Sequence, residues 1–417
     1  MSGPYRVLLV SDAYAPMIGG ADRAVRSVAL ELKARGHMVC VATAWQPGLP
    51  EHEVCDGVDV HRLRDLTSRV PWVSDDPNKH VPPPFADPEG MLRLRRLVKS
   101  FRPDLIHSYG WLTYSSAPRL AHGDVPLVLS VHDYGNFCAL RTMLYMDREF
   151  CTGPGRRKCL GCARHHYGAA KGAVAVAGVL GSRRALARAA SAVQCNSEFT
   201  RDTTWRHLLA GRTRIAERSR ADVVIPPFPE ATTEQEPDLS VLDRLPERYI
   251  LFVGALRRVK GVGELLEAHA RLDSPPPLVL AGTREIDTPE EFPPGVTVIE
   301  SIPHSAVMAA WDRALFGVFP SVNPEPFGLV VLEAMSRGRA TIGTSPGGHS
   351  EMIVHEENGL LVRPGDVADL ASAMQRLVDD AALRDRLGAA AEQRAELFMA
   401  DRWVGRLEDL YDEAVSA

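Results

Sequence analysis

Short apolar runs alternate with helix-like runs along almost all of the 417-residue chain, and this rhythm restricts the fold more than any other property of the sequence. Arg6–Val10 reads as a strand, Ala21–Arg35 as a helix stopped by Gly36, and Met38–Thr43 as the next strand. The pattern returns at Leu105–His107 and Leu127–Val131, and again at Tyr249–Gly254, Pro277–Ala281, Val296–Glu300, Leu315–Pro320 and Arg339–Gly343. Such strands need cover on both faces, so they predict parallel sheets in an α/β fold. The length suits two cores, and two cores imply a cleft. A polar stretch over 228–247, rich in Pro and Glu, reads as the linker. It separates domains at 1–225 and 240–400, with a Cys-rich insertion at about 134–170. A last helix over 401–417 carries Trp403, Leu407, Leu410 and Tyr411 on one stripe, an expected packing surface across the joint.

Composition narrows the class. A hydrophobic content of 45% beside 24% charged residues is that of a water-soluble globular chain, and no apolar run reaches the roughly 20 residues that span a bilayer. The amino terminus runs directly into a strand without a basic leader, which reads as cytoplasmic. The net charge of −5 is unevenly spread. Residues 151–220 hold 14 Lys and Arg against 3 Asp and Glu, whereas residues 221–417 hold 17 against 33. The basic stretch is either a solvated face or a surface for an anionic acceptor or membrane, since the apolar run Ala169–Leu180 lies inside it. No nucleic-acid-reading element accompanies it. The Pro-rich residues 66–90 break the strand–helix rhythm and read as a lid-like loop on the acceptor side.

The chemistry concentrates in Glu325-Pro-Phe-Gly-Leu-Val-Val-Leu-Glu333. A strand at Leu315–Pro320, a turn over Ser321–Phe327 and a helix over Gly328–Arg337 place uncapped amides beside the turn, a setting suited to phosphate. Glu325 precedes the helix and Glu333 lies within it, so one carboxylate can reach sugar hydroxyls and the other a ribose. Two glutamates eight apart are also common as solvated charges; the strand-end setting is what favours a ligand. The loop Phe252-Val-Gly-Ala-Leu-Arg-Arg-Val-Lys-Gly261 brings Arg257, Arg258 and Lys260 to the same sheet edge, where cations offset a diphosphate leaving group. Leu266 stands where a dinucleotide fingerprint needs its third glycine, which disfavours an NAD enzyme.

In the first half, Gly19-Gly20 is either a ligand-approaching loop or a plain β-to-α turn, and His132 at a strand end is either a ligand contact or a structural residue. Four of the seven cysteines are spaced Cys138-x12-Cys151-x7-Cys159-x2-Cys162. They fit a structural tetrahedral zinc, free thiols or a redox pair, and four thiolates would leave no open catalytic position.

These motifs, with Gly347-Gly-His-Ser-Glu351 and Asn358-Gly-Leu-Leu-Val-Arg-Pro-Gly-Asp366, resemble in their order the retaining glycosyltransferases of family 4 over nearly the whole chain. The resemblance implies the GT-B fold, two Rossmann-like domains with parallel sheets facing across a cleft. It implies transfer of a sugar from a nucleoside diphosphate, UDP rather than GDP, to a hydroxyl or amine acceptor with retained configuration. Glu325, Lys260 and His132 would then serve catalysis. Arg257, Arg258, Lys260, Glu325, Phe327, Gly328, Leu329 and Glu333 would hold the donor, and Gly19 and Gly20 would lie near the diphosphate and acceptor. The transfer needs no metal cofactor.

The chain departs from the family pattern at Ala255, where an arginine is usual, so Arg257 or Arg258 is the expected substitute. Ser301-Ile-Pro303 and Pro226-Pro-Phe228 depart in regions that surround the base. A sugar-nucleotide hydrolase or epimerase on the same fold, and a sugar-nucleotide-binding assembly protein without turnover, are the competing readings.

Overall fold

The computed structural model describes residues 3–16, 19–70, 80–209, 222–229, 239–285, 287–300 and 302–416. It divides into two compact units, residues 1–230 together with 400–417, and residues 231–399.

The first unit is built on an eight-stranded sheet. Its strands are β1 (Arg6–Ser11), β2 (Met38–Ala44), β3 (His52–Cys55), β4 (Val58–Leu63), β5 (Leu105–Tyr109), β6 (Leu127–Val131), β9 (Ala192–Cys195) and β10 (Asp222–Val224), while β7 (Leu144–Tyr145) and β8 (Glu149–Phe150) form a separate ribbon. The order is β10-β9-β6-β5-β1-β2-β4-β3, and all pairings in it are parallel except β3 with β4. Alternation along each strand splits the core between the two faces. Leu8, Val10, Ile106, Leu127 and Leu129 face one cluster, and Val7, Leu9, Val41, Leu105 and Val128 face the other. The second face is covered by Val25, Ala29 and Leu32 of the helix Gly20–Ala34 and by Val404, Leu407, Leu410 and Tyr411 of the helix Ala400–Val415. The stripe on that last helix is therefore core of the first unit. Of the Pro-rich loop, residues 71–79 lie outside the described residues; its flanks are fixed by His80 Nε2 to Asp65 at 2.8 Å and by the Gln46 amide donating to the His80 carbonyl.

The second unit carries β11 (Tyr249–Val253), β12 (Leu278–Ala281), β13 (Val296–Ile299), β14 (Ala314–Val318), β15 (Thr341–Thr344) and β16 (Leu360–Val362) in the all-parallel order β13-β12-β11-β14-β15-β16. Both sheets reverse their winding next to the first strand of the unit, between β1 and β5 and between β11 and β14. Open α/β sheets bind ligands at the carboxyl ends of strands flanking such a reversal. Those ends lead into Asp12 and Gly110 in the first unit, and into the Gly254 and Glu325 loops in the second. No helix among the described residues is long and apolar enough to cross a membrane.

Candidate active site

The second unit assembles its carboxylate turn from three glycine-dependent approaches. Gly261 sits at φ +75°, and a Cβ there would lie 2.7 Å from the carbonyl carbon of Pro320 and closer still to its oxygen. This glycine lets the Lys260 loop press against the end of β14, a contact continued by the amide of Val322 donating to Val259. From the other side, Gly347 abuts the backbone of Glu325, and Gly348 donates its N–H to the Glu325 carbonyl at 2.6 Å. The turn is thereby clamped between two neighbouring loops.

Within that clamp Lys260 Nζ donates to Glu325 Oε1 at 2.6 Å, and Ser321 Oγ donates to Oε2 at 2.9 Å. Burial pushes the Glu325 carboxyl up, but Lys260, His349 and the two hydrogen bonds outweigh it, so the group is held below the usual glutamate range. His349 is also buried, which pushes its pKa down to about 4 against the opposing pull of Glu325. Its Nδ1 accepts from the Thr344 amide at 3.3 Å, leaving the proton of the neutral ring on Nε2, beside Gly328. Gly328, at φ +105°, starts the helix Leu329–Ser336 with no side-chain cap, so first-turn amides are available to an anion. Phe327 is buried against Phe398.

Glu333 is 1% exposed and pairs with His304 Nε2 at 3.3 Å. His304 begins the helix His304–Arg313, and sequence reasoning missed it. Ser321 was likewise visible only as part of a turn. Of the three cations expected beside the diphosphate, the structure brings Lys260 to Glu325. Arg257 instead pairs with Asp287 at 3.5 Å, and Asp287 also accepts from the Arg258 amide, while the Arg258 side chain is exposed. Ser301 lies outside the described residues. Pro226, Pro227 and Phe228 are buried in the first unit.

In the first unit, Gly19 precedes the helix Gly20–Ala34 in extended backbone that any residue adopts; a Cβ on it would meet the Asp22 carboxylate at 2.6 Å, whereas Gly20 has open space beside it. His132 follows β6 and stands edge-on to Tyr109, with ring centroids 5.0 Å apart. Burial pushes it down to about 4, more than Asp133 and Gln194 pull it up, so the ring is neutral near pH 7. Behind it His107, driven to about 3 by burial, holds its Nδ1 within 2.7 Å of the Tyr411 hydroxyl and 3.1 Å of the Tyr109 hydroxyl.

The winding reversal of the first sheet holds a group that the sequence did not disclose. Arg141 donates to Asp12 at 2.8 Å and to Asp133 at 2.5 Å, and Asp12 also accepts from the Leu112 amide. Burial raises the Asp12 pKa despite the guanidinium. Asp12 follows β1 whereas Asp133 and Arg141 lie in the loop after β6, and the three match no local motif, so only the fold gathers them.

The four cysteines of the insertion are free thiols in one neighbourhood. Among the described residues no three His, Cys, Asp or Glu side chains are grouped as a metal ion would require. Backbone groups engage the sulfurs instead, with Cys159 accepting from Gly155, Cys162 from Met146, and Cys151 donating to the Gly153 carbonyl. Burial pushes the Cys138 thiol up to about 11.

Residues 19–217 match the glycosyl transferase 4-like domain and residues 240–394 the glycosyl transferases group 1 domain, and the chain belongs to this glycosyltransferase family, with the GT-B fold. It is 28% identical over 411 residues to the glycogen synthase of Mycobacterium tuberculosis, covering 93% of this chain and 90% of that one. Sucrose-phosphate synthase from Thermosynechococcus elongatus superposes with a TM-score of 0.70 at 21% identity over 99% of both chains. Anabaena HepE in complex with UDP and glucose superposes with a TM-score of 0.64 at 16% identity, also over 99% of both.

Proposed function

We propose that this glycosyltransferase moves a hexosyl group from a nucleoside diphosphate donor, UDP in preference to GDP, to a hydroxyl or amine acceptor with retention of configuration. The observation that carries the reading is the Lys260–Glu325 pair, oriented by Ser321 and lying at the amino end of the helix Leu329–Ser336. Glu325 accepts from sugar hydroxyls, and its depressed pKa keeps it an acceptor at neutral pH. Lys260 sits where an ammonium can bridge the sugar and the diphosphate, and the uncapped amides after Gly328 take up phosphate charge as the leaving group departs. Glu333, held by His304, faces the ribose hydroxyls.

Neutral His349 and neutral His132 add hydrogen bonds without adding charge. The acceptor's proton passes to a donor phosphate oxygen while the acceptor attacks the face that the nucleotide vacates, which retains configuration. The UDP preference draws support from the UDP and glucose of the Anabaena relative. The protein's own cations and amides supply what a catalytic metal would.

The test is turnover of Glu325→Ala with a panel of UDP- and GDP-sugars, with the anomeric configuration of the product read by NMR. We expect a loss of at least about 100-fold at unchanged thermal stability. Near-normal turnover in a folded variant, or an inverted product, would sink the assignment.

A further inference from the structure

A basic concavity of the first unit is lined by none of the residues at the winding reversal. A cavity of about 580 Å³ is lined by Thr152, Gly153, Gly155, Lys158, Arg183, Arg184, Arg206 and His207, with Pro154 completing the loop wall. Its volume lies in the roughly 300–1,000 Å³ range of small-ligand pockets. Four cations and, among the described residues, no carboxylate line the wall. Glu198 and Asp202, on the helix Glu198–Thr204 that precedes Arg206, pair with Arg201. Lys158 donates to the neutral hydroxyl of Thr152 at 3.0 Å. Positive charge therefore meets at this cavity from three segments without an acid lining it.

The backbone is shaped to hold that arrangement. Gly153, at φ +115°, lies against the ring of His207, and a Cβ there would come within 2.6 Å of Nδ1, so a side chain at this position would displace the wall. The opposite side of the His207 ring packs on Phe137, with centroids 5.6 Å apart. Phe137 belongs to the same loop as His132, Asp133 and Arg141, which ties the cavity to the acceptor-side residues of the unit. Burial first, and then Arg206, Lys158 and Arg183, push the His207 pKa below the ordinary histidine range.

We infer that this cavity is a binding site for a phosphoryl group, a phosphomonoester or diphosphate. Guanidinium forks match two phosphate oxygens at once, and a cluster of arginines with a lysine and flexible hydroxyl is the composition that binds such a dianion. A single carboxylate would match only one of these guanidinium forks. The inference does not rest on the transferase reading, since it concerns equilibrium binding within the first unit. The phosphoryl group has two sources, a soluble phosphorylated compound or the headgroup of an anionic lipid, and both present the same chemistry.

Calorimetric titration of the full chain with inorganic pyrophosphate, and flotation with phosphatidylglycerol vesicles against phosphatidylcholine vesicles, test it. Arg184→Gln combined with Arg206→Gln should weaken pyrophosphate binding by at least about tenfold, as the loss of charge-assisted hydrogen bonds requires. Arg157→Gln combined with Arg188→Gln removes the same charge from outside the cavity and should change binding by less than about threefold. Both positions of the first pair are at least partly exposed, and a thermal melt verifies folding. Pyrophosphate binding lost only in the first pair supports a soluble source. Phosphatidylglycerol binding that is lost only in that pair and competed by pyrophosphate supports the lipid source. No binding of either probe, or equal loss in both pairs, overturns the inference.

Discussion

Gly261→Ala should damage the second unit more than any other single-methyl change in the Lys260 loop. An L-residue at φ +75° costs about 1–2 kcal/mol in backbone strain. The added Cβ also meets the Pro320 carbonyl carbon at 2.7 Å, where about 3.5 Å is comfortable, and both partners are backbone that cannot rotate away. Relieving the overlap requires a shift on the order of 1 Å between the loop and the end of β14, at about 1–3 kcal/mol. The sum is roughly 2–5 kcal/mol, against a stability of about 5–15 kcal/mol for an ordinary domain. At about 2–4 °C per kcal/mol, the melting midpoint should fall by roughly 4–20 °C.

Two residues away, Gly263 lies exposed in the helix Val262–His269 with nothing near its Cβ position, so Gly263→Ala should instead stabilise by about 0.5–1 kcal/mol. Differential scanning calorimetry of both variants decides. If Gly261→Ala melts within a degree of the unmodified protein, or if the two variants shift in the same direction, the account of the loop as a backbone-to-backbone clamp is wrong. Because that clamp also aims Lys260 at Glu325, the surviving folded fraction of Gly261→Ala should turn over slowly, and Gly263→Ala should not.

Further outcomes follow from the two sites. Lys260→Met leaves the largely buried Glu325 carboxylate with the Ser321 hydrogen bond, and kcat should fall by about 100-fold or more while the Glu325 pKa, read by NMR, rises. Arg141→Leu strands two half-buried carboxylates at the first winding reversal and should cost about 3 kcal/mol by urea denaturation. The folded-state pKa values of His132 and His349 lie near 4, below the unfolded value of about 6.5, so the unfolded chain takes up protons first as pH falls. Stability should therefore be flat above pH 6.5 and decline between 6.5 and 4, and replacing His349 with Gln should flatten part of that slope in a pH series of melts. Elemental analysis of the purified protein should find no stoichiometric zinc, with the thiols of Cys151 and Cys159 open to titration in the native state.

The sheets were legible because parallel strands covered on both faces write continuous apolar runs. β6, β11 and β13 appear within a residue or so of their expected bounds. The hairpin of β3 and β4 was not, because His52–Cys55 is an exposed edge strand whose side chains carry little hydrophobic signal. The Lys260–Glu325 pairing was foreseeable, since both residues follow strands that end at one sheet edge. The engagement of Arg257 and the Arg258 amide by Asp287 was not legible, because Asp287 lies a helix and a strand further along the chain. The Asp12–Arg141–Asp133 group depends on a positive-φ arginine in an irregular loop, and no periodicity marks such a residue. For the cysteines, a spacing fit for zinc fixed only how far apart the sulfurs lie along the chain, and the backbone hydrogen bonds within 138–162 turned them elsewhere.

The helix Ala400–Val415 closes the first unit with residues made after the whole of the second. At about 5–20 residues per second, the intervening segment of residues 231–399 takes on the order of 10–30 s to synthesise. Throughout that interval the part of β5, β6 and β9 that awaits the last helix lacks its cover, and His107 lacks its Tyr411 partner. The amino-side unit thus receives its last cover only after the carboxyl-side unit has been synthesised. The nascent first unit is in consequence the stage at which a chaperone has apolar surface to hold.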